Sequence, residues 1–489
     1  MWVAAALAAC LATACGGRVS PEQVRAEAAE DGYVAAGSVG GTGTGAGTGT
    51  RTGTGTGSNG ATAGGATGGG GASSGSGGDA SAGGGEANVA DPSAGGTGGG
   101  PDTTLPPGGN GGATDIGVTA DAIVLGNVST LSGPVPGLFR GALVGAQAWA
   151  AMVNSHGGIN GRMIQIQSGD DALDSGRNRA AVLALKDQVF GFLGSFSVTD
   201  EGTASALAGT NVPDIGYPLS AARYQLPNNY SAFPARPGWE TGPFHYYATL
   251  FPPEVRQNTA FFVAAIESAR AIAARERQVM EQNGYVVTYT REIQAQEPNY
   301  TGDVVQMRSK GVRTFMFEGQ ADQIGNLVNT MAQQGFHVDL LNLGATAYSN
   351  AYLDLAGPAS EGAYIDLTTA MYLGEDASTV PEVAEFLHWM NVIDPDQDVD
   401  LFAVYAWASG RLLEQALREV GPNVTRDGVL AAISNIHSFD ANGLIGTSDP
   451  GGRIPTNCFL AIRIQNGAFV RDHPSSGFDC DSGAYVPID

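Results

Sequence analysis

Short β-branched and aromatic runs alternate with amphipathic stretches through residues 115–489, and this alternation constrains the fold more than any other feature of the sequence. Ile123–Thr130 has the composition of a buried strand, and Phe139–Ser155 has the apolar spacing of a helix. Such alternation is typical of right-handed βαβ units and parallel sheets. Because about 375 residues exceed the usual size of one domain, we predict an α/β fold with two doubly wound parallel-sheet lobes.

The same pattern predicts the other elements of each lobe. In the first set, strands are expected at Met163–Gln167, Val189–Leu193 and Val212–Tyr217, with a helix at Ser175–Gln188. In the second set, strands are expected at Thr259–Ala265, Val286–Tyr289, Thr314–Phe317 and Leu340–Leu343, with helices at Glu267–Asn283 and Gln323–Gln334.

The N-terminal residues 1–15 have the character of an export signal. Met1–Ala14 is apolar and rich in alanine, and small residues precede Cys15, as at a bacterial lipoprotein cleavage site. We therefore expect Cys15 to be acylated and to anchor an exported protein to the cell envelope, in the periplasm or on the outer face of the cytoplasmic membrane. Cys10 also fits the motif, and an incidental cysteine in an apolar N-terminus is the alternative.

Residues 16–114 are rich in Gly, Thr and Ser and have almost nothing to bury. Such a segment does not offset the entropy of ordering, so we predict a disordered linker. The whole chain has a formal net charge of −24, which disfavours binding to nucleic acid. No apolar run of about 18 residues follows residue 15, so no transmembrane helix is predicted.

Asn154–Arg162 carries the letters NSHGGINGR, which resemble the Asn-x-x-Gly-Gly-Ile-x-Gly turn of type I periplasmic binding proteins. The resemblance is to the branch that binds branched-chain amino acids and related small molecules. Five further segments match in the order of the family: Leu131–Pro134, Asp170-Asp171, Gly194–Ser197, Ile215–Ser220 and Leu355–Gly362.

The resemblance implies two lobes joined by a hinge of three crossovers. Lobe one would comprise residues 115–245 with 370–439, and lobe two residues 246–369 with 440–489. It also implies a small ligand trapped as the lobes close: an amino acid, an amide or another small carboxylate. The expected role is delivery of a small polar or amphipathic solute to an ABC permease. A ligand-sensing receptor of the same fold and an exported hydrolase are the alternatives.

Ligands of open parallel sheets bind beyond the carboxyl ends of the strands, so residues just after the predicted strands should line the cleft. The six expected segments are Ser129–Ser132, Ser195–Thr199 and Tyr217–Ala221 in lobe one, and Ala264–Ser268, Glu318–Asp322 and Gly344–Tyr348 in lobe two. Ser197 and Thr199 are candidates for an anion, because hydroxyls and N–H groups at a helix start favour negative charge. N-capping is their alternative role. The full set of candidate ligand-binding residues is Ser197, Thr199, Leu219, Ser220, Ala221, Gln320, Thr346 and Tyr348.

One departure from the family concerns the ligand's ammonium group, which an acidic residue of lobe two meets in the amino-acid binders. That residue should fall within Gly344–Tyr348, where Thr346 stands instead. A buried ammonium without a countercharge is costly. Either Glu267, Glu318 or Asp322 supplies the charge, or the ligand is not an α-amino acid, which we favour.

Cys458 and Cys480 are expected to form a disulfide, because exported proteins meet an oxidising compartment. They flank a predicted hairpin with an Asn466-Gly467 turn. Two free thiols, or half of a metal site, are the alternatives, and the lack of a histidine in ligand register disfavours zinc. The sequence contains no nucleophile elbow, zinc-protease or Walker motif, so we expect neither an enzyme nor a cofactor nor a metal.

Overall fold

The computed structural model describes residues 109–294, 296–297 and 299–488. The predicted signal segment, the acylation candidates Cys10 and Cys15, and nearly all of the predicted linker lie outside these residues. Among the described residues, no helix is long and apolar enough to cross a membrane.

The first parallel sheet has five strands in the order β2-β1-β3-β4-β5. Its strands are β1 Ala122–Ser129, β2 Met163–Asp170, β3 Gly191–Leu193, β4 Asp214–Ile215 and β5 Asn229–Tyr230. The helices of this region are α1 Arg140–Ser155, α2 Ser175–Leu185, α3 Glu201–Leu207 and α4 Ala221–Tyr224. The strand order places β1 between β2 and β3, so the order reverses at β1, as in a doubly wound sheet.

The second parallel sheet has four strands in the order β10-β9-β7-β8. A short strand and two helices precede it: β6 Gly238–Glu240, α5 Gly242–Leu250 and α6 Pro253–Arg256. The strands are β7 Thr259–Ala264, β8 Val287–Ile293, β9 Thr314–Glu318 and β10 Leu340–Leu341. The helices are α7 Glu267–Gln282, α8 Thr301–Ser309, α9 Ala321–Gln333 and α10 Asn350–Ala356, with short 3₁₀ turns at Ala345–Ala347 and Gly357–Ser360. Two parallel sheets confirm the predicted fold class.

A third, antiparallel sheet follows, formed by β11 Tyr364–Leu367, β12 Leu460–Gln465 and β13 Ala468–His473. Asn466 and Gly467, between β12 and β13, have φ angles of 53° and 73°, as a tight hairpin turn needs, which confirms the predicted hairpin. The last strand, β14 Tyr485–Pro487, pairs with β6.

Between these strands the chain returns to the first sheet. The intervening helices are α11 Asp376–Thr379, α12 Pro381–Ile393, α13 Leu401–Val420 and α14 Arg426–Ser434. α13 packs on α1, where a methyl group at Gly145 would lie 2.4 Å from the Ala403 carbonyl oxygen. Trp149 of α1 and Trp407 of α13 are both fully buried in this layer. The predicted residue boundaries of the two lobes stay a prediction.

Candidate ligand-binding site

A cavity of about 300 Å³ is lined by residues that follow strands of both parallel sheets. Its volume lies at the lower end of the range of about 300–1,000 Å³ for small-molecule sites. Five of the six segments expected beyond the strand ends contribute to it: Phe196 and Val198; Tyr217 and Leu219; Ala264, Ile266 and Ser268; Glu318–Gln320; and Gly344–Thr346. The carboxyl ends of the strands therefore face a common cavity, as open parallel sheets require.

The wall built from the first sheet and α13 is aromatic. Tyr217 stacks on Tyr405 with the ring centroids 4.6 Å apart and the planes 5° from parallel. Phe233 meets Tyr405 edge-on at 4.4 Å, and Phe402 lies 4.7 Å from Phe196. All five rings line the cavity. Such a wall offers flat apolar and π surfaces to a ligand.

The loop after β3 turns its hydroxyls away from this cavity. Gly194 adopts a φ of 63°, which lets the chain turn beside Ala406. The Ser197 hydroxyl accepts a hydrogen bond from the Thr199 N–H at 3.0 Å and lies 3.0 Å from the Thr199 hydroxyl. Ser197 is buried as a result, and Phe196 and Val198 form the wall instead.

A buried ion-pair network holds the neighbouring loop after β4. Arg223 makes two hydrogen bonds to the Asp214 carboxylate, at 2.8 and 2.9 Å, and a longer one to Asp200 at 3.4 Å. Asp200 in turn accepts hydrogen bonds from the backbone N–H groups of Leu219 and Ser220. The network fixes the backbone of Leu219, whose side chain lines the cavity.

Four carboxyl groups line the same cavity: Glu240, Glu276, Glu318 and Asp366. None of the ion pairs found in the described part of the chain includes any of them. Asp366 accepts hydrogen bonds from the Tyr247 hydroxyl and from Asn342 Nδ2. The cavity therefore concentrates negative charge.

Burial changes the acidity of these groups. Burial, the largest cause, raises the pKa of Glu240 and of Glu318 to about 7, and repulsion from Asp366 adds to both rises. Burial also raises the pKa of Asp366 to about 6, against hydrogen bonds that lower it. For Glu276, burial and the adjacent Glu318 raise the pKa well above its ordinary value. An incoming positive charge would displace protons from this wall.

The sequence matches the model of one protein family, described as periplasmic binding protein, over residues 122–468. That match covers more than two thirds of the chain. The chain belongs to the periplasmic binding protein family. The family is one of solute-binding proteins and not of enzymes, which confirms the prediction drawn from the missing catalytic motifs.

This periplasmic binding protein is similar to the Leu/Ile/Val-binding protein homolog 1 of Brucella melitensis biotype 1, with 22% identity over 291 residues, 57% of this chain and 73% of that protein. Its fold is that of a branched-chain amino acid ABC transporter protein from Thermus thermophilus with bound valine. That comparison gives a TM-score of 0.63 and 12% identity over 74% of this chain and 97% of that one. The fold is also similar to that of a fatty acid ABC transporter substrate-binding protein from Thermomonospora curvata. That comparison gives a TM-score of 0.62 and 17% identity over 75% of this chain and 95% of that one.

Three of the candidate residues line the cavity of this periplasmic binding protein: Leu219, Gln320 and Thr346. The Thr346 hydroxyl donates to the Gly319 carbonyl, and the Gln320 N–H donates to Gln323 Oε1 at the start of α9. These two side chains therefore belong to the turns that shape the wall of the second sheet.

The other five candidates lie outside the cavity wall: Ser197, Thr199, Ser220, Ala221 and Tyr348. The Ser220 hydroxyl caps α4 by accepting from the Arg223 N–H at 3.3 Å. Tyr348 is buried against Tyr372 and Phe469, and its hydroxyl accepts from the Leu373 N–H at 2.8 Å. Capping and core packing occupy the groups that the sequence suggested for a ligand.

Of the three acids proposed from the sequence to meet a positive charge, only Glu318 lines the cavity. Sequence reasoning missed Glu240, Glu276 and Asp366, which come from β6, the middle of α7 and β11. The signal used was proximity to a predicted strand end, and it is absent here because neither β6 nor β11 was predicted and Glu276 lies within a helix. Within the described residues, no group of three or more such side chains is arranged to hold a metal ion.

The C-terminal segment completes the wall. Cys458 and Cys480 form a disulfide, as predicted. Pro455, Thr456 and Tyr485, which flank the two cysteines, line the cavity. The Tyr485 hydroxyl donates to the Arg236 carbonyl at 2.6 Å, next to the pairing of β14 with β6. The bridge therefore constrains a segment that contacts the ligand space directly.

Proposed function

We propose that this protein is the extracytoplasmic substrate-binding component of an ABC transporter, which traps a small amphipathic molecule and delivers it to a permease. The observation that carries the proposal is the cavity lined by strand ends of both parallel sheets. Family membership supports a binding role, and relatives named for ABC transport support the destination.

Trapping follows from contacts made on both sides of the cavity. A ligand that touches both the aromatic rings of the first sheet and α13 and the acids of β6, α7, β9 and β11 gains most when these elements approach each other. Such a ligand shifts the population toward a closed arrangement in proportion to its preference for that arrangement. The closed form would then be what the permease recognises.

The first test is native mass spectrometry of protein purified without denaturation, followed by identification of any bound small molecule. We expect one molecule per chain and a smaller radius of gyration in X-ray scattering than for the refolded, stripped protein. A chain that carries nothing, and that no small molecule compacts or stabilises, would contradict the binding role. Ligand binding by this protein, with uptake of the same ligand unchanged when its gene is deleted, would point to sensing instead.

We also propose that the protein is exported and anchored through an acylated Cys15, with residues 16–114 as the tether. A flexible tether of this length has a mean end-to-end distance of roughly 50–60 Å. Incorporation of labelled fatty acid should be lost in Cys15→Ala and kept in Cys10→Ala. The reverse result would assign the anchor to Cys10, and no incorporation into the unaltered chain would contradict anchoring.

A further inference from the structure

The cavity contains a buried acceptor that the protein itself leaves unsatisfied. Glu276 is 6% exposed and lines the cavity, and its Oε2 atom accepts no hydrogen bond from an N–H or hydroxyl group of the protein. The adjacent Glu318 carboxyl can bond to Glu276 only while one of the two groups keeps its proton. Buried polar atoms are almost always paired, because an unpaired one loses its hydration without compensation. A hydrogen-bond donor carried by the ligand would complete this site.

The surroundings of Glu276 make a charged donor the best match. Glu318, Glu240 and Asp366 line the same cavity, so four carboxylates share one enclosed space. The positively charged side chains in the lining are Arg236 and Arg275, so acidic groups outnumber basic ones. The Arg275 guanidinium lies 5.9 Å from the Tyr224 ring and not in an ion pair with these acids.

A metal ion does not account for this charge, since the carboxylates of the described chain do not converge on one point. A ligand carboxylate does not suit it either. The hydroxyls of Ser197 and Thr199 face each other, and the corresponding wall consists of Phe196 and Val198. An anionic head would therefore meet apolar carbon where those hydroxyls were expected, and four acids that outnumber Arg236 and Arg275 in the lining.

The aromatic wall indicates what the rest of the ligand is. Tyr217, Tyr405 and Phe402 line the same cavity as the acids, and Tyr217 stacks on Tyr405. Rings of this kind pack against apolar groups and attract cations to their faces. A molecule with an apolar or aromatic body and a cationic end would use both walls at once.

We propose that the ligand of this cavity is an amphipathic organic amine, whose ammonium group binds between Glu276 and Glu318 and whose apolar body lies on the Tyr217–Tyr405 stack. This rests on the proposed binding function and narrows it to a class of ligand. An ammonium group has three N–H hydrogen-bond donors and a localised positive charge. It therefore matches two neighbouring carboxylates better than a neutral hydroxyl does. The body fills the remainder of the cavity of about 300 Å³.

The test is a matched panel in which body and head vary separately. Phenethylamine, phenethyl alcohol and hydrocinnamate share an aromatic body, and hexylamine, hexanol and hexanoate share an alkyl body. Thermal shift identifies binders among them, and calorimetry gives their dissociation constants. We expect stabilisation by the amines only, and tighter binding of phenethylamine than of hexylamine.

Two variants and a control test the acids directly. Glu276→Gln and Glu318→Gln keep the shape of the side chain and remove the charge, so each should raise the dissociation constant for phenethylamine about tenfold or more. Glu267→Gln changes an acid of the same helix whose side chain is 91% exposed, and it should leave binding unchanged. Circular dichroism and melting in the absence of the amines establish that each variant folds.

The possible outcomes separate this inference from the proposed function. Stabilisation by hydrocinnamate or hexanoate, or equal stabilisation by the alcohols, would overturn the amine assignment and leave the binding role intact. Unchanged amine affinity in both folded glutamine variants would also overturn it. If no member of the panel stabilises the protein and no bound molecule accompanies it through purification, both the amine assignment and the binding role fail.

Discussion

Replacing Glu240 by glutamine should stabilise the unliganded protein, and the gain should grow with pH. Glu240 lies in the cavity wall, where burial, the largest cause, raises its pKa from 4.5 to about 7. Asp366 adds repulsion. Glu240 in turn raises the pKa of the other titratable groups that face it, which are Glu276, Glu318, Tyr217, Tyr405 and Tyr485. Glutamine keeps the size of the side chain and removes the charge that burial disfavours.

The sign and the magnitude follow from the raised pKa. Below the unfolded pKa both states of the wild type are protonated, so Glu240 costs nothing there. As pH rises through about 7, the folded state must also lose its proton, and the stability associated with the raised pKa is lost. At about 1.4 kcal/mol per pH unit, the full loss is roughly 3 kcal/mol. Because Glu240 also faces the cavity, we expect about 1–3 kcal/mol.

The assay is urea unfolding of wild type, Glu240→Gln and the exposed control Glu267→Gln at about pH 5 and about pH 8. Glu240→Gln should gain stability over wild type mainly at the higher pH, whereas the control should not show this trend. The reasoning would be refuted if the difference in free energy of unfolding between Glu240→Gln and wild type were the same at both pH values. Such a result would mean that Glu240 has an ordinary pKa in the folded protein.

Three further predictions concern stability and ligand choice. The double variant Cys458→Ser/Cys480→Ser should have a free energy of unfolding about 3 kcal/mol lower than wild type, as expected for a disulfide with a sequence separation of 22. Denaturant unfolding measures the difference, and reductant should not lower the stability of the variant further. Gly145→Ala should destabilise by about 1–3 kcal/mol because its methyl group would lie 2.4 Å from the Ala403 carbonyl oxygen, whereas Gly302→Ala, with open space around it, should be neutral or slightly stabilising. Leucine, isoleucine and valine at millimolar concentration should not raise the melting temperature, because their carboxylate would meet Phe196 and Val198 in place of the Ser197 and Thr199 hydroxyls and would be repelled by the acids of the lining; a shift of several degrees would contradict this.

The regular elements could be predicted from the sequence because their signals are local. The period of apolar residues located α1 and α7, and β-branched runs located β1 and β7, within one or two residues of their observed ends. β4 is only two residues long although a longer strand was expected at Val212–Tyr217, because after Ile215 the chain leaves the sheet. Short strands are set by tertiary pairing, which local sequence does not encode.

The site was predictable at the level of segments but not of side chains. The strand-end rule located Tyr217, Leu219 and Glu318 in the wall. It was wrong for residues 129–132, because the Asp170 carboxylate accepts hydrogen bonds from the N–H groups of Leu131 and Ser132 and holds that loop. Asp366 and Glu276 reach the cavity from elements distant in sequence, so only the packed structure brings them together.

The bridge between Cys458 and Cys480 makes preparation of the protein part of any ligand screen. Tyr485 follows Cys480 by five residues and belongs to the cavity wall, as do Pro455 and Thr456 just before Cys458. Recombinant protein made in a reducing cytoplasm would lack this disulfide, so its cavity wall would be less constrained. Weak ligand binding measured with such protein would describe the reduced form only. Secretion into an oxidising compartment allows the disulfide to form, and ligand affinities should be measured on that form of the protein.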